Sequence, residues 1–551
     1  MASHFPTRRA LFAGVAAAFC RNLQGAEDRS RSASVDRLLD QIIENEAKIR
    51  QIVAERTPVI ETYIQEESAT NPVDSQDHYF LGRMRSKAEG YISFVRRQSA
   101  PPSVTEIRTR RRLLVLKQTQ VSEKTPAHVE YMPEGFAHMA VIDGASFNRK
   151  TCHFEFIRRE FLGEVRCLVF DVAPIDAVEP GRFIGRIWVE DQTHFITRVN
   201  GTYQKKTGEE LYFHFDCWRM NTAPGVWVPA IIYTEDEAGP VNARVRLKAQ
   251  TRLWGYESKA SNRLDELTSI LVDSAPNVKD SAEGADPSPL DGQRRWEREA
   301  ETNIIDRLER IGLIAPAGEV DEVLGTVLNN LIATNSLDIE PRCRVLLTTP
   351  FETFTIGRTV VVSRGLIDVL PDEASLALVV ASVLAHIAIG NPAGKEFAFN
   401  DRTMIDDHTA LERFRFARSA QEVAEASKRA VELLSNSPYR DKMAGAGLFL
   451  KALKSRSSRL PHLIRSTFGN DLACYLELPE FQAILASAPA LEDSKLEQVA
   501  ALPLGSRIRV QPWANQIYLA KSKPVSLLSA REKLAFEVTP VNIHLSRAVE
   551  N

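Results

Sequence analysis

The sequence predicts an α+β protein: an N-terminal helix with an antiparallel β region, then a mainly helical region with a small sheet, then a short β-rich end. Three observations predict it. From about His78 to Trp254, β-branched and aromatic runs alternate with turn residues at a spacing of roughly 8–12 residues, as in an antiparallel sheet or open barrel. The stretch Asp273–Gln293 is small, polar and proline-bearing, which suits a linker. Ala374–Ile389 contains no charged residue, so a helix there must be enclosed on nearly every side. At 551 residues the chain exceeds one ordinary core, given a prior of about 100–200 residues per domain. The expected units are 1–26, 27–272, 273–293, 294–470 and 471–551.

Taken in order, Thr7-Arg8-Arg9 precedes an apolar run from Ala10 to Cys20 and then a small, polar stretch to Ala26, the layout of an export signal cleaved near Gly25 or Ala26. The paired arginines resemble the bacterial twin-arginine motif, which implies a periplasmic or extracellular address. Cys20, preceded by Phe19, is an imperfect site for lipid attachment. Ser34–Glu67 has apolar residues at helical spacing (Leu38, Leu39, Ile42, Ile43, Ile49, Ile52, Val53) and predicts one long helix bent at Pro58. The expected strands are Tyr79–Arg83, Leu113–Gln120, Val129–Met132, His153–Ile157, Val165–Asp171, Phe183–Val189, His194–Tyr203, Leu211–Trp218, Val226–Tyr233 and Val241–Ala249.

Past the linker, Trp296–Leu313 and Gly318–Ala333 predict amphipathic helices, and Cys343–Thr348 a strand. Thr359–Ser363 is β-branched and apolar, and Gly365 breaks it. Asp368 or Asp372 can cap the charge-free helix that follows; at 16 residues its apolar run is short of the roughly 20 needed to span a membrane. Ser419–Leu434 and Asp441–Leu453 read as further helices. In the tail, Ser506–Val510, Gln516–Ala520, Pro524–Leu528 and Phe536–Leu545 alternate as strands do.

The residues from Val360 through Ser363 to Asp368, then Asp372–Ala377 and Val383–His386, resemble the strand and active-site helix of the zinc metallopeptidases of family M forty-eight, the HtpX, BepA and CAAX prenyl protease group. The resemblance spans about Glu299–Leu453. In that family, two His at i and i+4 of one helix bind zinc and a Glu between them serves as base. Here His386 stands at the first ligand position, Ile387 at the base position and Gly390 at the second ligand position. Arg440 falls at the third ligand position and Ala444 at the later Asp position. The resemblance therefore implies a peptidase fold without its chemistry and with no cofactor. Zinc belongs to the alternative in which Asp406, Asp407 or His408 completes a site with His386; otherwise His386 is a core histidine. In the resembled peptidases the strand corresponding to Val360, Val361, Val362 and Ser363 edges the substrate cleft, which implies docking of an extended peptide.

The phrasing of Gly185–Gly201, with Tyr212–Phe215 and Trp227–Tyr233, is similar to the lipoprotein-carrier (LolA-like) half-barrels. That likeness implies a concave face able to hold an acyl chain, with Phe183, Ile187, Val189, Phe195, Phe213, Phe215 and Trp227 as lining or simply as core. His153, His194 and His214 show no ligand spacing.

A net charge of -3 with 26% charged residues gives no field to draw nucleic acid, and Arg108–Arg112 reads as a solvated basic run. After export Cys152, Cys167, Cys217, Cys343 and Cys474 remain, an odd number that makes no framework, although Cys152 and Cys167 could pair across a hairpin. The leading functional expectation is an exported, inactive peptidase-like protein that binds a polypeptide or envelope protein. The alternatives are an active zinc endopeptidase with displaced ligands and a carrier of a lipid or lipoprotein on the N-terminal sheet.

Overall fold

Helix α1 (residues 34–56) stops where Thr57 takes a left-handed φ of 45° and Pro58 follows. Proline cannot donate the next helical hydrogen bond, and Val59, Ile60, Thr62 and Ile64 favour an extended backbone. Strand β1 (Val59–Ser68) therefore replaces the second half of the helix expected over Ser34–Glu67. Alternation could not reveal it, because β1 is buried on both faces from Val59 to Gln65. The computed structural model describes residues 34–68, 76–84, 91–94, 133–142, 144, 147–175, 182–203, 213–235, 245–257, 289–390, 410–411, 413–414, 416–475, 477–492, 507–519 and 536–548. The expected export signal, the strands Leu113–Gln120, Val129–Met132 and Pro524–Leu528, the basic run Arg108–Arg112 and the linker up to residue 288 lie outside them.

The fold is α+β. Strands β2 (Gln76–Met84), β3 (Tyr91–Ser93), β4 (Cys152–Leu162), β5 (Val165–Pro174), β6 (Phe183–Glu190), β7 (Ile196–Tyr203), β8 (His214–Ala223), β9 (Val226–Glu235) and β10 (Val245–Trp254) join β1 in one ten-stranded sheet. Its order is β3-β2-β1-β10-β9-β8-β7-β6-β5-β4, with antiparallel neighbours throughout. The run from β4 to β10 is a meander, and β1 closes on β10 through ten paired positions from Val59↔Trp254 to Ser68↔Val245.

Each face of this sheet is covered differently. Ile60, Ile64, Phe183, Ile187, Val199, Phe215, Cys217 and Val228 pack against Leu39, Ile42, Ile49 and Val53 of α1 and against Phe136 to Ile142, which includes the short helix α2 (Pro133–His138). A fully buried ion pair fixes α1 there: Arg219 of β8 donates to both carboxylate oxygens of Glu46, at 2.7 and 2.8 Å, and to the Ala140 carbonyl at 3.1 Å. On the opposite face, Trp188, Trp218 and Trp227 gather with Val165 and Ile231, and Ile543 and Leu545 of the tail lie over them. The Arg198 guanidinium sits 4.4 Å from both the Trp188 and the Trp218 ring centroid while pairing with Asp216.

Residues 536–548 thus run as a strap rather than as the strand expected over Phe536–Leu545. Their backbone groups are satisfied one by one instead of by a ladder: Val538 N–H donates to Gln65 Oε1, Glu164 N–H to the Leu545 carbonyl and Ala548 N–H to Asn221 Oδ1. Gly163, with φ at 71°, permits this crossing, since a Cβ there would stand 2.5 Å from the Leu545 nitrogen.

The helical part begins with α3 (Pro289–Ile311), which starts inside the expected linker, and α4 (Glu319–Thr334). Strands β11 (Arg342–Leu346), β12 (Thr353–Ile356) and β13 (Thr359–Ser363) form a small sheet in the order β11-β13-β12. Then follow α5 (Arg364–Val369), α6 (Glu373–Ile389), α7 (Ala420–Ser435), α8 (Met443–Arg456), α9 (Pro461–Ile464), α10 (Leu472–Tyr475), α11 (Pro479–Ser487) and the pair β14 (Ile508–Val510) and β15 (Ile517–Leu519). Asp372 caps α6 by accepting from Ser375 N–H at 2.7 Å, and Ser419 with Glu422 forms a capping box on α7. One apolar core joins this part to the large sheet, with Val59, Tyr63, Leu81 and Trp254 packing among Leu308, Leu324, Phe351 and Leu366.

At the centre of that junction Arg364 of α5 is completely buried. It donates to Glu61 Oε2 of β1 at 2.9 Å, to the Leu347 carbonyl at 3.0 Å and to Thr349 Oγ1 at 2.7 Å. Asp368, which was a candidate helix cap, instead pairs with Arg364 at 3.4 Å and accepts the Arg507 and Ile508 N–H groups at 3.0 and 2.8 Å. Gly365 lets the chain pass here, because a Cβ would meet the Thr349 carbonyl at 1.7 Å. Burial, and then the Arg364 charge, bring the nearby Arg252 guanidinium down to about 9. Removing one partner of such a pair leaves an uncompensated buried charge. Arg364→Met is expected to cost about 3–5 kcal/mol in urea unfolding. Adding Glu61→Gln should recover part of that loss; a strictly additive double variant would show that the pair is not coupled.

Candidate functional site

The buried helix α6 carries His386 in its last turn, with 4% of the residue exposed. Its Nε2 lies 3.5 Å from the Tyr475 hydroxyl, and its Nδ1 has no hydrogen-bond partner among the described residues. Burial, and then the Arg418 guanidinium, push the imidazole down to about 4. Arg418 is fixed in turn: its N–H donates to Asn470 Oδ1 at 2.6 Å and its side chain to Thr355 Oγ1 at 3.0 Å. The helix then ends. Gly390 is its left-handed C-cap at φ 91°, donating to the His386 and Ile387 carbonyls, so position i+4 lies where the helical face has stopped.

Ile387 is apolar core, and Arg440 is exposed on a 3-10 turn beside Asp441. The described residues contain no cluster of three His, Cys, Asp or Glu able to hold a metal ion. Among the described residues, His386 has the Tyr475 hydroxyl beside it and the Arg418 guanidinium and Glu422 carboxylate as charged neighbours, a donor set too small to hold zinc. Asp406, Asp407 and His408 lie outside the described residues. The expected cleft edge at Val360, Val361, Val362 and Ser363 is corrected: β13 is the central strand, paired with β11 on one side and β12 on the other, and its residues are fully buried. Its unbroken β-branched run marks a strand enclosed on both faces, and its two edges are taken by β11 and β12.

A second titratable group stands beside β12. Glu352 is fully buried and accepts the Thr467 and Phe468 N–H groups at 2.8 and 3.2 Å. Burial raises its carboxyl to about 7, and those hydrogen bonds limit the rise.

On the large sheet, Phe183, Ile187, Val189, Phe213 and Phe215 do share one face, but α1 and the residues around α2 fill it. Trp227 belongs to the opposite face, and Phe195 touches both clusters. The histidines are not brought together: His153 is on β4, His194 in the turn before β7 with Gln41 as its partner, and His214 on β8. Cys152 and Cys167 cannot pair, because Cys152 stands opposite Pro174 and Cys167 opposite Glu160, and they face different sides of the sheet. Burial raises the Cys167 and Cys474 thiols to about 11, which disfavours the reactive thiolate.

The unfilled part of the helix-packed face is its margin at β4 and β5, which sequence reasoning missed. Strand β4 is one of the two outer strands of the sheet among the described residues, and Phe156 and Phe161 are 52% and 66% exposed. Phe156 stands opposite Phe170, a core residue, in an edge-to-face contact at 5.6 Å, and half-buried Phe154 contacts Phe147 at 5.3 Å. Five residues apart in a regular strand, Phe156 and Phe161 would point to opposite faces. The register shift between Phe156 and Arg158 inserts one residue and turns both onto the same face.

The two buried groups make opposite pH predictions. His386 is depressed when folded, so the unfolded chain binds the extra proton, and stability should fall as pH drops from about 6.5 towards 4, by up to about 3 kcal/mol. Glu352 is raised, so its contribution should be present at low pH and fade between about 4.5 and 7. Urea unfolding across that range should lose the first slope in His386→Phe and the second in Glu352→Gln; slopes unchanged in the variants would show that neither group is the source.

No family model matches the chain, and no curated protein sequence matches it. Among solved structures it is similar to a LolA superfamily protein from Nitrosomonas europaea and to a DUF1329 family protein from Desulfovibrio piger. Each is 10% identical over 39% of this chain and 92% of the other, with a TM-score of 0.19.

Proposed function

We propose that the protein is a non-enzymatic carrier that holds the acyl part of a ligand against the helix-packed face of the large sheet, at its β4–β5 margin. The supporting observation is the bulge that places two exposed phenylalanines on the face whose interior is the apolar core. An edge strand with exposed aromatics is an aggregation liability unless something covers it, and a carrier's ligand is such a cover. The inactive peptidase-like reading loses its expected docking edge, since β13 is paired on both sides. A polypeptide partner is favoured by one different observation: β4 has no outer neighbour among the described residues, so an extended segment could add there on either side of the bulge. An exported address belongs to the same proposal and rests on Thr7 to Cys20; no helix among the described residues is long and apolar enough to cross a membrane.

The test is binding of a neutral fluorescent apolar probe, N-phenyl-1-naphthylamine, to the full chain. Phe156→Ser and Phe161→Ser should each weaken binding on the order of tenfold, since each removes much of one buried aromatic contact. Saturable binding left unchanged by both variants would place the apolar site elsewhere.

A further inference from the structure

The charges of the β4–β5 hairpin are sorted by face. Opposed residues of an antiparallel pair point the same way, so Arg159 opposite Leu168 and Phe161 opposite Arg166 share the face of Phe156 and Phe170. The strand carboxylates take the other face. Glu155 stands opposite Asp171, and Glu160 opposite Cys167, whose side chain packs beneath the tail strap. There Glu160 accepts from Arg158 and from the Trp188 indole, and Asp171 pairs with Arg186.

The apolar margin is therefore bordered by two arginines and by no strand carboxylate. Arg166 is engaged by Asp191. Arg159 is exposed and has no polar partner among the described residues, and it lies between the two exposed phenylalanines. A guanidinium without a counter-ion among the described residues, flanked by aromatic residues on one face, suits a carboxylate or phosphate joined to a hydrocarbon chain.

We infer that the ligand at this margin is a single-chain anionic amphiphile, its chain lying along Phe156 and Phe161 and its head group against the Arg159 guanidinium. This inference rests on the carrier reading and adds the charge of the cargo. From Phe156 to Phe161 the strand extends roughly 13 Å, enough to contact most of a long acyl chain.

The experiment compares palmitate with 1-monopalmitoylglycerol, each below its aggregation limit, on the full chain and its Arg159→Gln and Arg159→Lys variants. Palmitate affinity should fall about tenfold in Arg159→Gln and be largely kept in Arg159→Lys, as a charge-assisted contact requires. The uncharged glyceride should change by less than about twofold. Equal losses for both probes, or no loss for either, would overturn the head-group assignment and leave the carrier reading standing. Failure of both probes to bind the unaltered chain would overturn the carrier reading itself. Cosedimentation with phosphatidylglycerol vesicles without uptake of monomeric palmitate would overturn the inference in favour of a membrane surface.

Discussion

The junction between the large sheet and the helical part is centred on one requirement: the Arg364 charge, completely buried, must be met. Glu61 meets it from β1, Asp368 from α5, and Thr349 and the Leu347 carbonyl from the loop between β11 and β12. Asp368 then holds the Arg507 and Ile508 N–H groups, so the tail segment is tied to the same centre. Burying an arginine costs several kcal/mol unless every donor finds an acceptor. The segments around residues 61, 364 and 507 therefore have to arrive together, and β1, although it follows α1 in the chain, is committed to the helical part on one face and to α1 on the other.

With that face of β1, β2 and β10 used for the junction, the rest of the large sheet is covered by different means. The Trp188, Trp218 and Trp227 side is closed by the strap that crosses Gly163. The other side is closed by α1, pinned through the Glu46–Arg219 pair, but Phe156 and Phe161 of β4 stay exposed. What remains is the margin at β4, where Phe156 and Phe161 reach solvent and Arg159 has no polar partner among the described residues. The function is proposed there because β13, the strand expected to edge a cleft in the helical part, is paired on both sides.

Much of the fold was legible. The meander from β4 to β10 could be read because its β-branched and aromatic runs have turn residues between them. Helix α6 could be read because a long charge-free run with Asp372 before it admits little else. Strand β1 could not: buried on both faces and holding Glu61 and Gln65 for partners hundreds of residues away, it shows a mixture of acids and apolar residues that mimics a helix. The tail was misread for the converse reason, since alternating residues at 536–545 pack against two different clusters without a neighbouring strand.

The site was less legible. His386 stood out as the one ionisable group between Ala374 and Ile389, yet Arg418 and Tyr475, which set its environment, come from distant segments. The pairing of Phe156 with Phe161 was invisible, because parity assigns them to opposite faces and only the bulge at Ile157 reverses that. The measurement that tests the account most directly is photocrosslinking of the purified chain with a diazirine-bearing fatty acid, followed by mapping of the labelled peptides. The account predicts labels within Phe154–Phe161 of β4 and Arg166–Phe170 of β5. Labels concentrated at Trp188 and Trp218, or around His386, would contradict it.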